Sequence, residues 1–292
     1  MRIAFLGFGL IAGSIARAVR ANPATGEWQL GAWSPTGDGP KQAAGEGILD
    51  RAAESPEAAI TDADLVVLAA PATACLELMD GLAGQWRDRL LPDALVTDLA
   101  STKATLLARA DALGLRYVGG HPMAGLETAG YDTSTADLFV DRPWVVVPGS
   151  DAYDGDAGRV ADLADACGAT VVVMGAAEHD RAVAAVSHLP LVVAAALVEA
   201  MAGPPGGERA DWPVAAELAA GGWASATRVA RGDVAMGAAI AATNAAPLAA
   251  RIRDLRAVLD EWLAELERPD GPDEAAIARR LTAARATLEE GR

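Results

Sequence analysis

Lysine is almost missing from this 292-residue chain: only Lys41 and Lys103 occur, and 24 basic residues face 40 acidic ones for a formal net charge of −16. A chain with that balance offers no basic face to phosphates, so nucleic-acid binding is excluded. Cysteine is nearly absent too. Cys75 and Cys167 stand far apart, with neither a CxxC pair nor a histidine-rich partner, which indicates two free thiols in a reducing cytosol and no zinc site. Aromatics supply only 4% of residues although 52% are hydrophobic. Alanine fills much of that quota and favours close-packed helices. No apolar run of about 20 residues escapes charges or breakers, so no membrane span is expected. "AVAAVSHLPLVVAAALV" comes nearest, and its His and Pro suit a buried helix. The opening "MRIAFLGFGLIAGSIARAV" places glycines at strand–turn–helix spacing and lacks a cleavage site, so a cytoplasmic location without a signal peptide is expected.

What is present alternates. Apolar strands are expected at 2–7, 28–34, 64–71, 94–101, 143–148 and 169–174, with helical patterns between them. Continuous apolar strands separated by helices indicate a parallel sheet buried on both faces. After Met174 the β-branched runs stop, and long alanine-rich helical patterns follow, broken by "GPPGG" and "RPDGPD". The expected organisation is α/β: a Rossmann-type, parallel-sheet dinucleotide-binding domain over 1–176, then an all-α substrate-binding domain over 177–292. Such helices bury their apolar face by pairing, so a homodimer through the helical domain is expected.

Gly7-Phe8-Gly9-Leu10-Ile11-Ala12 is a G-x-G-x-x-A loop directly after a strand and before a helix. The first glycine permits the turn, the second lets backbone N–H groups approach a pyrophosphate, and Ala12 keeps helix and strand close. An NAD site usually adds an acid about 20 residues on. Here the second strand ends Trp33-Ser34-Pro35-Thr36, with no acid in that stretch and Lys41 nearby. Ser34 and Thr36 can donate to a 2′-phosphate, so NADP is slightly favoured over NAD.

Three histidines occur: His121 in "YVGGHPMAG", His179 in "EHD" and His188 in "SHLP". His121 reads either as a loop imidazole bonded to backbone or as a proton acceptor reached through an open glycine-rich segment. His179, after Glu178 near a helix start, reads as a capping or surface residue.

The stretches "GFGLIAGSIA", "VTDLASTKATLL", "GGHPMAGLETAG", "LFVDRPWVVVP" and "EHDRAVAAVSHLPLVVAAALV" occur in that order. Together they resemble the prephenate and arogenate dehydrogenases of tyrosine biosynthesis, from Arg2 to about Leu259. The resemblance implies oxidation of a cyclohexadienyl ring at its hydroxyl-bearing carbon, hydride transfer to a nicotinamide, loss of CO2 and aromatisation. It implies that His121 takes the hydroxyl proton, with Ser101 within hydrogen-bond reach to orient it. Arg228 would hold a substrate carboxylate. His188 falls near the substrate pocket or packs inside a helix. Glu127 is either a pocket acid or a surface salt bridge. Ala70, Pro71, Ser101 and Lys103 fall beside the cofactor, Lys103 equally well as a structural contact. A neutral imidazole is the natural base near pH 7, with an apparent pKa near the free value of about 6.5.

The chain departs from the prephenate-type pattern at three places. Leu191 replaces the second histidine of SHLPH, Ala224-Ser225 replaces an Arg-Asp pair, and Gly237 replaces a tryptophan. These changes resemble NADP-using arogenate dehydrogenases instead. Neither a fused mutase nor a regulatory domain is expected. The alternatives are a noncatalytic dinucleotide-binding regulator descended from the enzyme, and a dehydrogenase of an amino-substituted ring in a specialised pathway.

Overall fold

The protein is described by a computed structural model that covers residues 1–290 except 127, 151, 154, 204–208 and 210. Five parallel strands come first: β1 (Arg2–Leu6), β2 (Gln29–Trp33), β3 (Arg51–Ala52), β4 (Leu65–Leu68) and β5 (Leu95–Asp98), in spatial order β3-β2-β1-β4-β5. Helices α1 (Leu10–Ala21), α2 (Asp38–Gly45), α3 (Pro56–Ile60), α4 (Ala72–Ala83) and α5 (Ala104–Leu113) form the crossovers and cover both faces. The β4 run LVVL is buried at every position, as a strand sandwiched between helix layers requires.

A second, three-stranded sheet follows, in the order β6 (Val118–Pro122), β7 (Pro143–Pro148) and β8 (Thr170–Val173), with α6 (Asp156–Ala166) between the last two in sequence. A parallel bridge between Val96 and Tyr117 joins β6 to β5. Two expectations change here. The segment read as an open loop around His121 is a buried strand, and β7 runs antiparallel to it, pairing Val145 with His121. The glycines of that strand do not hold a path open for ligands. A Cβ at Gly120 would lie 2.6 Å from the Asp98 carbonyl oxygen, and one at Gly119 would lie 2.9 Å from Lys103 Cδ. They let β6 press against β5 and make room for the stem of Lys103.

The rest is helical: α7 (Ala176–Val183), α8 (Leu189–Ala202), α9 (Trp212–Glu217), α10 (Gly221–Thr227), α11 (Val234–Thr243), α12 (Ala245–Leu266) and α13 (Glu274–Glu290). A π-helical turn, Ala184–His188, links α7 and α8 into one continuous run. Pro190 explains it. Proline has no N–H to give the preceding turn and its ring crowds that turn's carbonyl, and widening the turn relieves both. The run Ala176–Ala202 is long and apolar enough to cross a membrane by length and composition, yet it carries His179, Asp180 and His188 fully buried against its neighbours. Val183, Ala184 and Ala194 are buried with them, so the expectation of a buried helix holds along one side of the run. Only 22% of its most apolar window is covered within one chain.

The β5–β6 approach gives a test. Gly120→Ala should lower the urea unfolding free energy by about 1–3 kcal/mol, because backbone on β5 must move. Gly125→Ala, with open space around its Cβ position, should change it by less than about 0.5 kcal/mol. Equal effects would show that the close approach is relaxed in solution.

Candidate active site

The expected cofactor residues gather at the carboxyl edge of the sheet, where the strand order reverses between β1 and β4. Gly7 has a φ of 94°, and a Cβ there would sit 2.3 Å from the Ala69 carbonyl oxygen, so only glycine fits. Nothing lies within 4 Å of the Cβ position of Gly9, and the N-terminus of α1 carries no side-chain cap. Its open N–H groups and dipole suit an anion. Phe8, Leu10 and Ala12 turn their side chains into the core, with Phe8 stacked on Tyr131 at 5.4 Å, so these positions offer backbone only. Ile11 is half-buried. Ala70 and Pro71 follow β4 after Ala69, and a Cβ at Gly7 would lie 3.4 Å from Ala70 N.

Beyond β2, the Ser34 hydroxyl accepts a hydrogen bond from Gly37 N at 3.1 Å, and Thr36 Oγ1 accepts from Asp38 N at 3.4 Å. Both hydroxyls accept from the turn and keep their own O–H to donate. Asp38 opens α2, an exposed acid just past the stretch in which the sequence offered none.

The centre of the site is a chain of buried polar groups. His121 Nδ1 lies 2.8 Å from His179 Nε2, and His179 Nδ1 lies 2.8 Å from Asp180 Oδ1. The Asp180 carboxylate accepts from Lys103 N at 2.8 Å and Ala104 N at 2.9 Å, the opening N–H groups of α5. Burial opposes its ionisation. Hydrogen bonds from His179, Ala104 and Lys103 outweigh that and hold the carboxyl below its usual range. His179 is therefore no surface or capping residue: it is 1% exposed and joins the helical part to β6. Sequence spacing held no sign of this, because His121 and His179 are 58 positions apart.

Lys103 is fully buried, and its ammonium pairs with Asp98 at the end of β5. The Tyr117 hydroxyl donates to the other oxygen of the same carboxylate. Of the two roles left open for Lys103, the structural contact is the one observed. Burial above all, then the positive charge of Lys103 and the neighbouring His179 and His188, pushes the His121 imidazole well below its usual pKa. The free-imidazole value expected for His121 is thus replaced by a lower one.

His188 closes the π-turn, fully buried, with Nδ1 2.9 Å from Asn244 Nδ2. Asn244 Nδ2 also donates to the Asp180 carbonyl at 2.8 Å. Desolvation lowers the His188 pKa to about 4, opposed in part by the Asp180 charge. Ser101 is half-buried just beyond β5, but the partner of His121 is His179, not this serine. Arg228 is exposed on a 3-10 turn, Arg228–Arg231, that packs against α8. Glu127 lies outside the described residues. Two of the departures meet: a Cβ at Gly237 would lie 3.5 Å from Leu191 Cδ2, an ordinary apolar contact. Among the described residues, no cluster of histidine, cysteine and acidic groups has a metal-holding arrangement.

A buried sheet edge with an anion-ready glycine turn and a neutral histidine defines a dinucleotide-dependent dehydrogenase site in outline, and comparison with known proteins gives the family. The model of the prephenate dehydrogenase nucleotide-binding domain matches residues 34–173, and that of the prephenate dehydrogenase dimerization domain matches 175–279. This chain belongs to the prephenate dehydrogenase family. It is 30% identical to the prephenate dehydrogenase of Bacillus subtilis (strain 168) over 91% of this chain and 68% of that protein. Among solved structures, Synechocystis arogenate dehydrogenase superimposes with a TM-score of 0.80 at 27% identity, covering 100% of both chains. The A. aeolicus prephenate dehydrogenase in complex with hydroxyphenyl propionate and NAD+ gives a TM-score of 0.86 at 26% identity, covering 100% of this chain and 98% of that one.

The buried histidines generate a pH dependence. The folded pKa values of His121 and His188 lie below the unfolded value of about 6.5, so the unfolded chain takes up protons first. Stability is therefore full above pH 6.5 and declines as pH falls toward about 4, where His188 itself protonates. Each histidine should contribute a slope of up to about 1.4 kcal/mol per pH unit in that window. Urea midpoints that stay flat from pH 6.5 to 4.5 would contradict this burial.

Proposed function

We propose that this chain catalyses the oxidative decarboxylation of a cyclohexadienyl substrate, prephenate or arogenate, with NAD(P)+ as hydride acceptor, giving 4-hydroxyphenylpyruvate or tyrosine. The observation that carries the reading is His121: buried on β6 at the edge of the nucleotide-binding sheet, held through Nδ1, and without a hydrogen bond at Nε2 to any other described residue. A base that is neutral at pH 7 and has one free nitrogen suits a hydroxyl that must lose its proton as the carbonyl forms. When bound, the oxidised nicotinamide takes up the hydride. Gly7, Gly9 and the first N–H groups of α1 would hold its pyrophosphate. Ala70 and Pro71 border it, and Ser101 lines the same crevice beyond β5. Arg228 grips a substrate carboxylate, a task for which guanidinium is suited in so acidic a chain. His188 shapes the substrate side by way of Asn244.

Of the alternatives within the family, arogenate with NADP is the pair we favour. The Ser34 and Thr36 hydroxyls and Lys41 suit a 2′-phosphate, and the Leu191–Gly237 contact replaces polar and bulky groups with a small apolar corner. The domain division at 176/177 assigns nucleotide to the sheet part and substrate to the helices. A homodimer through the helical part fits the exposed Val234, Leu259, Leu263, Leu266, Leu281 and Leu288 and the dimerization domain of the family. A cytoplasmic location follows from the same biosynthetic role.

The test is a panel of prephenate and arogenate, each with NAD+ and NADP+, compared by kcat/KM, with His121→Asn alongside. The expected result is turnover that is fastest with arogenate and NADP+. His121→Asn should keep cofactor affinity while losing about 10²- to 10⁴-fold in kcat. A tenfold preference for prephenate with NAD+ would overturn the subclass alone. No turnover on either ring would favour the noncatalytic regulator or the amino-substituted substrate. More than a third of wild-type kcat in His121→Asn would remove the base.

A further inference from the structure

His179 does more than fill space between the helices and the sheet. Both Asp180 oxygens accept backbone N–H groups, and these bonds with that from His179 hold the carboxyl below its usual range, so it is ionised at neutral pH. An ionised carboxylate only accepts, and the proton between it and His179 therefore sits on His179 Nδ1. A neutral His179 then presents a lone pair at Nε2, and the contact with His121 Nδ1 needs a donor on the His121 side. That places the His121 proton on Nδ1 and its lone pair on Nε2. The hydrogen-bond chain chooses one tautomer out of two.

We propose that His179, backed by Asp180, is a positioning residue that fixes the basic tautomer of His121 and takes over the positive charge as His121 receives the substrate proton; this rests on the dehydrogenase reading above. The bonds balance. The substrate O–H breaks as His121 Nε2–H forms; His121 Nδ1–H breaks as His179 Nε2–H forms, and the His179 Nδ1–H bond stays intact, donated to the Asp180 carboxylate. The hydride leaves to the nicotinamide. The charge moves from an imidazole facing the Lys103 ammonium to one touching a carboxylate. The titratable groups facing His121 sort accordingly. Lys103 and His188 oppose a cation on it, while Asp98 and Tyr117 are committed to Lys103 and Asp180 to His179.

The test compares His179→Phe, which keeps the ring and removes both nitrogens, with His179→Ala in the presence and absence of added imidazole. Cofactor titration and circular dichroism check that each variant is folded, and His179→Gln replaces any that is not. The expected result for His179→Phe is a tenfold or greater loss of kcat, with KM and cofactor affinity within twofold of wild type. Its pH profile of kcat should move, because His121 Nδ1 loses its hydrogen-bond partner. Imidazole should restore turnover to His179→Ala, and His179→Gln, which keeps an acceptor, should lose less than His179→Phe. A His179→Phe variant with more than half of wild-type kcat and an unmoved pH profile would overturn the proposal, as would His179→Ala that imidazole cannot restore. If His121→Asn is impaired while His179→Phe is not, the relay fails and the dehydrogenase reading stands. If wild type turns over neither ring, the reading beneath both fails.

Discussion

The arrangement depends on one carboxylate. Asp180 belongs to the first helix after the sheet, yet it caps the first helix after β5, taking N–H groups that α5 would otherwise leave unmet. A buried N–H without a partner costs about 1–3 kcal/mol, so this contact ties α7 to the sheet in one register. From that register follows the placing of His179 against His121, and of Asn244 against the Asp180 carbonyl. Thr102 and Thr105 reinforce it through Thr243, at the end of α11. The joint that holds the two halves together is also the joint that holds His121.

Two charge systems meet there without merging. Lys103 is one of the chain's only two lysines, and its ammonium pairs with Asp98. A buried ion pair of this kind contributes little net stability, but removing either partner would strand a charge in a dry place. Burial above all, and the charge of that ammonium after it, favour the neutral form of His121. Asp180 acts on the other side, one imidazole further away. His121 thus sits between a cation that discourages its protonation and a relay toward an anion that accommodates it.

Much of the nucleotide half was legible in the sequence because its signals are local. A glycine turn, an apolar strand and a helix start occupy a dozen consecutive residues, and β1, Gly7 and α1 lie where the spacing put them. The strand at His121 was not legible. Two glycines and a proline in five residues look like a loop, and only pairing with Trp144–Pro148 on one side and β5 on the other makes them a strand. His179 was misread for a related reason. Its neighbours describe a helix start, and nothing in helical periodicity tells which strand of another layer that start will meet. The contact between His121 and His179 depends wholly on tertiary structure.

The central claim is that His121 is a neutral base whose lone pair is on Nε2. With only three histidines, the ring nitrogens can be assigned by nitrogen-15 NMR of histidine-labelled protein, using His121→Asn and His179→Phe to identify the signals. At pH 7 the account predicts a protonated Nδ1 and an unprotonated Nε2 on His121, with the same pattern on His179. A His121 protonated at Nε2, or a doubly protonated imidazolium at that pH, would contradict it.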